Sequence, residues 1–344
     1  MLHVNQQILD FIKQNDNNVS LQKFLNSNLN FFKNFIDIAK QKIEFISSCD
    51  EIIETQELSR LKYFSCNRKN AGTVLIVPSI INKSDILDIT QNRSFCVYLK
   101  QFHNVYLIDW LSPKSIHSDL GLDNYVAIIN KYIATLASKH QKKISLIGYC
   151  LGGNLSIAST IHQSDHIDKL ALIATPWDFN KMSYKPLLYA PPFSENGTIP
   201  AGFITALFNT INYEKILAKY LSFYENKMPE TDLHLFLQVE NWINNGIDLT
   251  HKAAKNIYAD LFLKNNTFNG SWQVLQKHIL LEKIFQPTIV FATYNDIIVP
   301  KDSSIAISDL MSNCKTVETS CGHIGIIISK NAQSQTWKTL SDWI

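Results

Sequence analysis

The period of the apolar positions changes near residue 60. Before it, Leu21, Phe24, Leu25, Leu29, Phe32, Phe35, Ile36, Ala39, Ile43 and Ile46 recur three or four apart, with Lys, Asn and Gln between them. That stripe predicts helix across residues 1 to about 60. Two uses fit it: packing on the main domain, or, given its many Phe residues, a face for a partner or an apolar surface. After residue 60, short apolar runs alternate with helical segments. Leu61–Phe64, Thr73–Val77, Val105–Ile108, Lys143–Ile147, Leu170–Ala174, Thr288–Ala292 and Lys315–Thr319 read as strands. Asn124–Leu136 and Asn331–Ile344 read as helices. Near-continuous apolar strands separated by helices imply a mostly parallel sheet covered on both faces.

The gap from 178 to 285 breaks this alternation. It is rich in aromatic residues and helix-like segments, and Pro186, Pro191, Pro192 and Pro200 crowd its start. It reads as a helical cap inserted between two strands of a core made of residues 61–177 and 286–344, with residues 1–60 as a separate helical segment.

A chain of 344 residues with 46% hydrophobic content can bury a large core. A net charge of +2 argues against a nucleic-acid footprint, which needs clustered basic residues. The six cysteines are scattered, so no disulfide framework is expected. The segment Met1–Gln7 lacks a basic region leading into an apolar one, and the apolar runs are too short to span a bilayer. The expectation is a cytoplasmic protein without a transmembrane segment.

The candidate chemistry centres on Gly148-Tyr149-Cys150-Leu151-Gly152-Gly153, set between an apolar strand and the small-residue helical run that starts at Asn154. Strand, Gly-x-nucleophile-x-Gly and helix is the order of a nucleophile elbow, here with Cys in place of Ser. The helix N-terminus carries partial positive charge, which favours a thiolate nucleophile. A base and an orienting acid should follow in loops after later strands. His323, in Cys321-Gly322-His323-Ile324-Gly325, follows one strand, and Asp296, in Asn295-Asp296-Ile297, follows another. The chain order nucleophile, acid, base is that of the α/β-hydrolase fold. Asp178 is a competing acid after the preceding strand, and Asp109 a polar group near the same edge. The oxyanion hole should use the backbone N–H of Leu151, with a second N–H from the loop 78–83, for which Ile81 is the choice. Cys314, Cys321 and His323 make a weak case for zinc, so no metal or cofactor is expected.

The chain resembles the polyhydroxyalkanoate synthases. Val77-Pro78-Ser79-Ile80-Ile81-Asn82-Lys83 with Ile86-Leu87-Asp88 is similar to that family's loop after the first core strand. So are Asn92–Phe95, Val105–Trp110, the Cys150 box, Asp296–Pro300 and Gly322–Gly325, in the family's order. Ser79 stands where the family usually has a second Pro, and the cap is recognisable only through Glu240–Asn244. The resemblance implies polymerisation of (R)-3-hydroxyacyl-CoA thioesters, with 3-hydroxybutyryl-CoA foremost, and release of CoA. Cys150 would carry the acyl chain and His323 would take the thiol proton. Asp296 would either orient the histidine or help activate the incoming 3-hydroxyl. The chain resembles the shorter catalytic subunits. This implies acyl-CoA and the nascent polyester as ligands, a second non-catalytic subunit or a homodimer as partners, and the polymer-granule surface as a location. Two other classes keep the same residues: a thioesterase or polyester depolymerase, and a non-catalytic granule- or partner-binding subunit.

Overall fold

Among the described residues, eight strands form one sheet, and six of them run parallel. The computed structural model describes residues 45–182, 197–211 and 230–344. Its strands are β1 (Glu51–Gln56), β2 (Ser59–Phe64), β3 (Gly72–Val77), β4 (His103–Trp110), β5 (Ile144–Tyr149), β6 (Ile167–Ile173), β7 (Thr288–Thr293) and β8 (Cys314–Thr319). Their order across the sheet is β1-β2-β4-β3-β5-β6-β7-β8. β1 and β2 pair antiparallel, β2 pairs antiparallel with β4, and every pair from β4 to β8 is parallel. The central strands β5 and β7 are buried at every position, as their unbroken apolar sequences require when helices cover both faces.

Helix α1 (Leu122–His140) and helix α2 (Leu151–His162) are the long helices of the first half. α1 buries one stripe, including Tyr125, Ile129, Ile133 and Leu136. It ends at Gln141 in the left-handed conformation, a usual helix stop. α2 is buried from Leu151 through Thr160. Its small residues, Gly152, Gly153, Ser156 and Ala158, let it lie close against the sheet.

Two expectations need correction. The helical reading of residues 1–60 fails from Phe45 onward, because residues 45–49 are irregular and Glu51–Gln56 is strand. Ile52, Ile53 and Thr55 are β-branched, and charges at Glu51 and Glu54 suit an exposed sheet edge. The stripe from Leu21 to Ile43 lies outside the described residues, and Ile46 at its end is exposed.

The excursion between β6 and β7 is helical only in part. Its described helices are α3 (Ala201–Ile211), α4 (Glu230–Asn244) and α5 (His251–Asn256), which continues as a wide helical turn over Ile257–Leu263. From Lys264 to Phe285 the chain is a folded loop with a small hairpin pairing Gln273–Val274 with Lys277–His278. Its polar residues explain the switch. Asn265 takes a positive φ of 52°, receives the Phe179 N–H at 2.8 Å and donates to Asp178 at 2.8 Å. Trp272 is buried edge-on to Trp177, with ring centroids 6.1 Å apart, so the loop is pinned to the end of β6.

β4 and β5 lie on opposite sides of β3, so the loops after β3 and β5 diverge. In open α/β sheets such a switch point, at the carboxyl ends of the strands, is where ligands bind.

Candidate active site

The turn from β5 into α2 holds Cys150 in a conformation that few non-glycine residues adopt, φ 54° and ψ −130°. Neighbouring strain of this kind is characteristic of a nucleophile elbow. The two flanking glycines are required sterically. A Cβ on Gly148 would strike the Cα of Gly153, and one on Gly152 would strike the carbonyl oxygen of Val77. The Cys150 N–H donates to the Ile173 carbonyl at 2.9 Å, which ties the elbow to β6. The residue is 9% exposed.

The acid and the base come from the loops after β7 and β8, which are stitched together. Tyr294 N–H donates to the Thr319 carbonyl at 3.1 Å and Asn295 Nδ2 to the Ser320 carbonyl at 2.7 Å. The Thr293 hydroxyl donates to the Cys321 carbonyl. Asp296 Oδ1 accepts the N–H groups of Ile298 and Val299, each at 2.8 Å, so the carboxylate cannot swing. Its Oδ2 lies 2.6 Å from His323 Nδ1, with the Asp296 side chain 0% and the His323 side chain 10% exposed. Cys150 is near enough to His323 to act on its charge. Asp296 and His323 therefore form a buried pair at the edge of the sheet that also carries the Cys150 elbow.

Burial by itself pushes the His323 imidazolium down. The Asp296 carboxylate and the Cys150 sulfur beside it more than offset this, and hold its pKa well above the ordinary value of 6.5. These neighbours favour the protonated form of His323. Asp178 does not compete. It accepts from Asn180 N–H at 2.9 Å and Asn265 Nδ2 at 2.8 Å, and serves to fix the loop after β6.

Asp109 sits at the end of β4 among Lys62 (3.3 Å), Arg60 (2.5 Å) and the Ser84 hydroxyl (2.7 Å). Burial raises its pKa and these three partners outweigh that, so the carboxyl stays below the usual range. Through Ser84 it anchors the turn that follows the loop 78–83. Next to it Trp110 donates its indole N–H to the Pro78 carbonyl at 3.1 Å. From the other side Trp242 of α4 donates to the Lys83 carbonyl at 2.7 Å. The loop is thus held at both ends, and its start lies against Gly152.

Leu151 opens α2 directly after Cys150, which suits its N–H to the oxyanion role. The other expected donor is engaged: Ile81 N–H donates to Ser79 Oγ at 3.3 Å. A small cavity that takes in Leu151 is lined by Ile80, Leu122, Leu151, Asn154, Leu155, Ile257 and Leu261. The Cys321 sulfur lies 3.3 Å from Ser329 Oγ. Among the described residues no group of three or more His, Cys, Asp or Glu side chains is placed to hold a metal ion.

Sequence reasoning missed Tyr149, Trp110 and Trp242. Tyr149 was hidden inside the elbow as an ordinary apolar strand residue, although its hydroxyl reaches His323. The two tryptophans carried the usual signal of a large buried ring with a polar edge that needs a partner.

The strand order, the elbow at Cys150 and the Asp296–His323 pair match the arrangement of the α/β-hydrolase fold. The chain belongs to the alpha/beta hydrolase fold family, whose model matches residues 93–329. Its curated relatives include poly(3-hydroxyalkanoate) polymerase subunits named PhaC. One, from Haloarcula marismortui, is 26% identical over 89% of this chain and 70% of the relative. Another, from Allochromatium vinosum, is 26% identical over 79% of this chain and 80% of the relative. A third, from Synechocystis, is 25% identical over 79% and 77%. Among solved structures, a monoacylglycerol lipase from Paleococcus ferrophilus covers 82% of this chain and 96% of its own, at 15% identity and a TM-score of 0.52. A hydrolase from Pseudomonas aeruginosa covers 86% and 98%, at 14% identity and a TM-score of 0.51. Those two likenesses concern the fold alone. No helix among the described residues is long and apolar enough to cross a membrane.

Proposed function

We propose that this chain is a polyhydroxyalkanoate polymerase subunit that builds a polyester from (R)-3-hydroxyacyl-CoA thioesters, with 3-hydroxybutyryl-CoA the first substrate to test. The carrying observation is the Cys150 elbow together with the buried Asp296–His323 pair, in a chain with polymerase subunits among its curated relatives. Cys150 Sγ attacks the thioester carbonyl. A sulfur–carbon bond forms and the carbonyl electron pair moves to oxygen. The tetrahedral adduct collapses with loss of the CoA thiolate, which takes the proton held by His323. The acyl group stays on Cys150 until a 3-hydroxyl attacks it: the new oxygen–carbon bond forms as the sulfur–carbon bond breaks, Cys150 leaves as thiolate, and the hydroxyl proton passes to His323, which had given up its own proton to the departing CoA. Asp296, fixed by two backbone N–H groups, keeps His323 oriented and stabilises its charge. Cysteine suits exchange between thioesters because the attacking and leaving thiols have similar basicity.

Incubation with 3-hydroxybutyryl-CoA tests this directly. Free thiol together with insoluble polymer supports the reading. Free thiol with soluble 3-hydroxy acid would instead make the chain a thioesterase. A second subunit and a location at the polymer surface are consistent with this reading, and co-purification with a granule fraction measures both.

A further inference from the structure

The loop after β3 contains a buried hydroxyl whose proton has no acceptor among the described residues. Ser79 is 8% exposed, and its Oγ accepts the Ile81 N–H at 3.3 Å. Among the described residues nothing accepts its own proton. A buried donor without an acceptor is costly unless a ligand supplies one. Its setting points to that ligand. The Cα of Gly152 meets the carbonyls of Val77 and Pro78 so closely that no Cβ fits between them, which puts the start of this loop against the nucleophile's turn. Ile80 and Leu151 line the same cavity. Trp110 fixes the loop through Pro78, and Trp242 through Lys83.

We propose that Ser79 is a catalytic residue: its hydroxyl donates to the oxyanion formed on Cys150, in the role expected of the Ile81 N–H. Ile81 then acts one step back, its N–H polarising the Ser79 oxygen and strengthening the O–H as a donor. The proton stays on Ser79 throughout. The carbonyl electron pair moves to oxygen when the sulfur–carbon bond forms and returns when the thiolate leaves. The loop is already rigid, so this donor needs no reorganisation as charge develops, the condition under which an oxyanion donor counts most. The proposal rests on the acylation of Cys150 assumed above, and not on what later happens to the acyl group.

The test compares two reactions of the same sulfur. Acylation by an activated p-nitrophenyl ester passes through an oxyanion, whereas alkylation by iodoacetamide does not. Ser79→Ala is expected to slow acylation roughly 10²-fold, mostly in kcat rather than KM, with the alkylation rate unchanged. Ser79→Thr keeps a hydroxyl and is expected to restore most of the acylation rate. Equal slowing of both reactions would mean that Ser79 only shapes the loop, and would overturn the proposal. So would a faster acylation in Ser79→Ala, since the hydroxyl would then be occupying the hole as a competing acceptor. Because ester acylation is read without polymer, these outcomes stand even if 3-hydroxybutyryl-CoA proves not to be polymerised.

Discussion

Tyr149 holds His323 by two contacts at once. Its ring stacks on the imidazole, centroids 5.5 Å apart and 28° between planes, and its hydroxyl donates to the His323 carbonyl at 3.0 Å. Burial, with Cys150 and Asp296 nearby, raises the Tyr149 pKa far above its ordinary value of 10.0, so the phenol remains a donor at any working pH. The residue before the nucleophile therefore positions the base, which comes from a loop 174 residues away in sequence.

Tyr149→Phe separates the two contacts. It keeps the stack and removes the hydrogen bond. The expected cost is about 1 kcal/mol of stability and about a tenfold loss in the rate of thiol release, because small misplacements of a catalytic group are expensive. Tyr149→Ala should lose considerably more. Wild-type kinetics in Tyr149→Phe would show that stacking alone sets the imidazole.

Cys150→Ala should abolish both thiol release and the mass increase of an acyl-enzyme. Cys150→Ser should be severely impaired, because a serine hydroxyl has no accessible anion at neutral pH. Intact-mass spectrometry after a brief pulse of acyl-CoA reads both. An acyl adduct that persists in Cys150→Ala would place the nucleophile elsewhere.

The two aspartates separate cleanly. Asp296→Asn leaves His323 without a charged partner and is expected to reduce acylation by roughly 10²-fold or more. Asp178→Asn disturbs only the contact with Asn265 and the local turn, so its effect should be on stability. Single-turnover thiol release in both variants decides between them, and the reverse pattern would move the acid to the loop after β6.

Much of this was legible in the sequence because its signals were local. The elbow requires glycine at two positions for steric reasons that hold wherever the turn occurs, so Gly148 and Gly152 announced Cys150. The apolar runs announced buried parallel strands, and chain order then assigned Asp296 and His323. Contacts set by tertiary packing were not legible. The Ile81 N–H looked available as an oxyanion donor, yet a serine two residues away takes it up. Glu51–Gln56 was absorbed into the preceding helical stripe, because its pairing with β2 is a non-local preference that overrides periodicity. The turn residues of 264–285 were masked by the aromatic residues packed among them.

The ionisation of His323 couples stability to pH with a definite sign. Its folded pKa lies well above 6.5: burial opposes the charge, and Asp296 and Cys150 outweigh burial. The unfolded chain should show an ordinary histidine, near 6.5. A raised folded pKa contributes stability that is fully present below the unfolded value and is lost as the pH rises through the folded one. His323→Gln cannot bind that proton and lacks this contribution. The stability gap between wild type and His323→Gln should therefore be widest near pH 6 and should close as the pH rises from about 6.5 into the alkaline range. Urea midpoints of the two proteins across that range measure the gap. A gap that stays constant, or widens with pH, would mean that His323 is neutral in the resting enzyme and that Cys150 and Asp296 do not hold its proton.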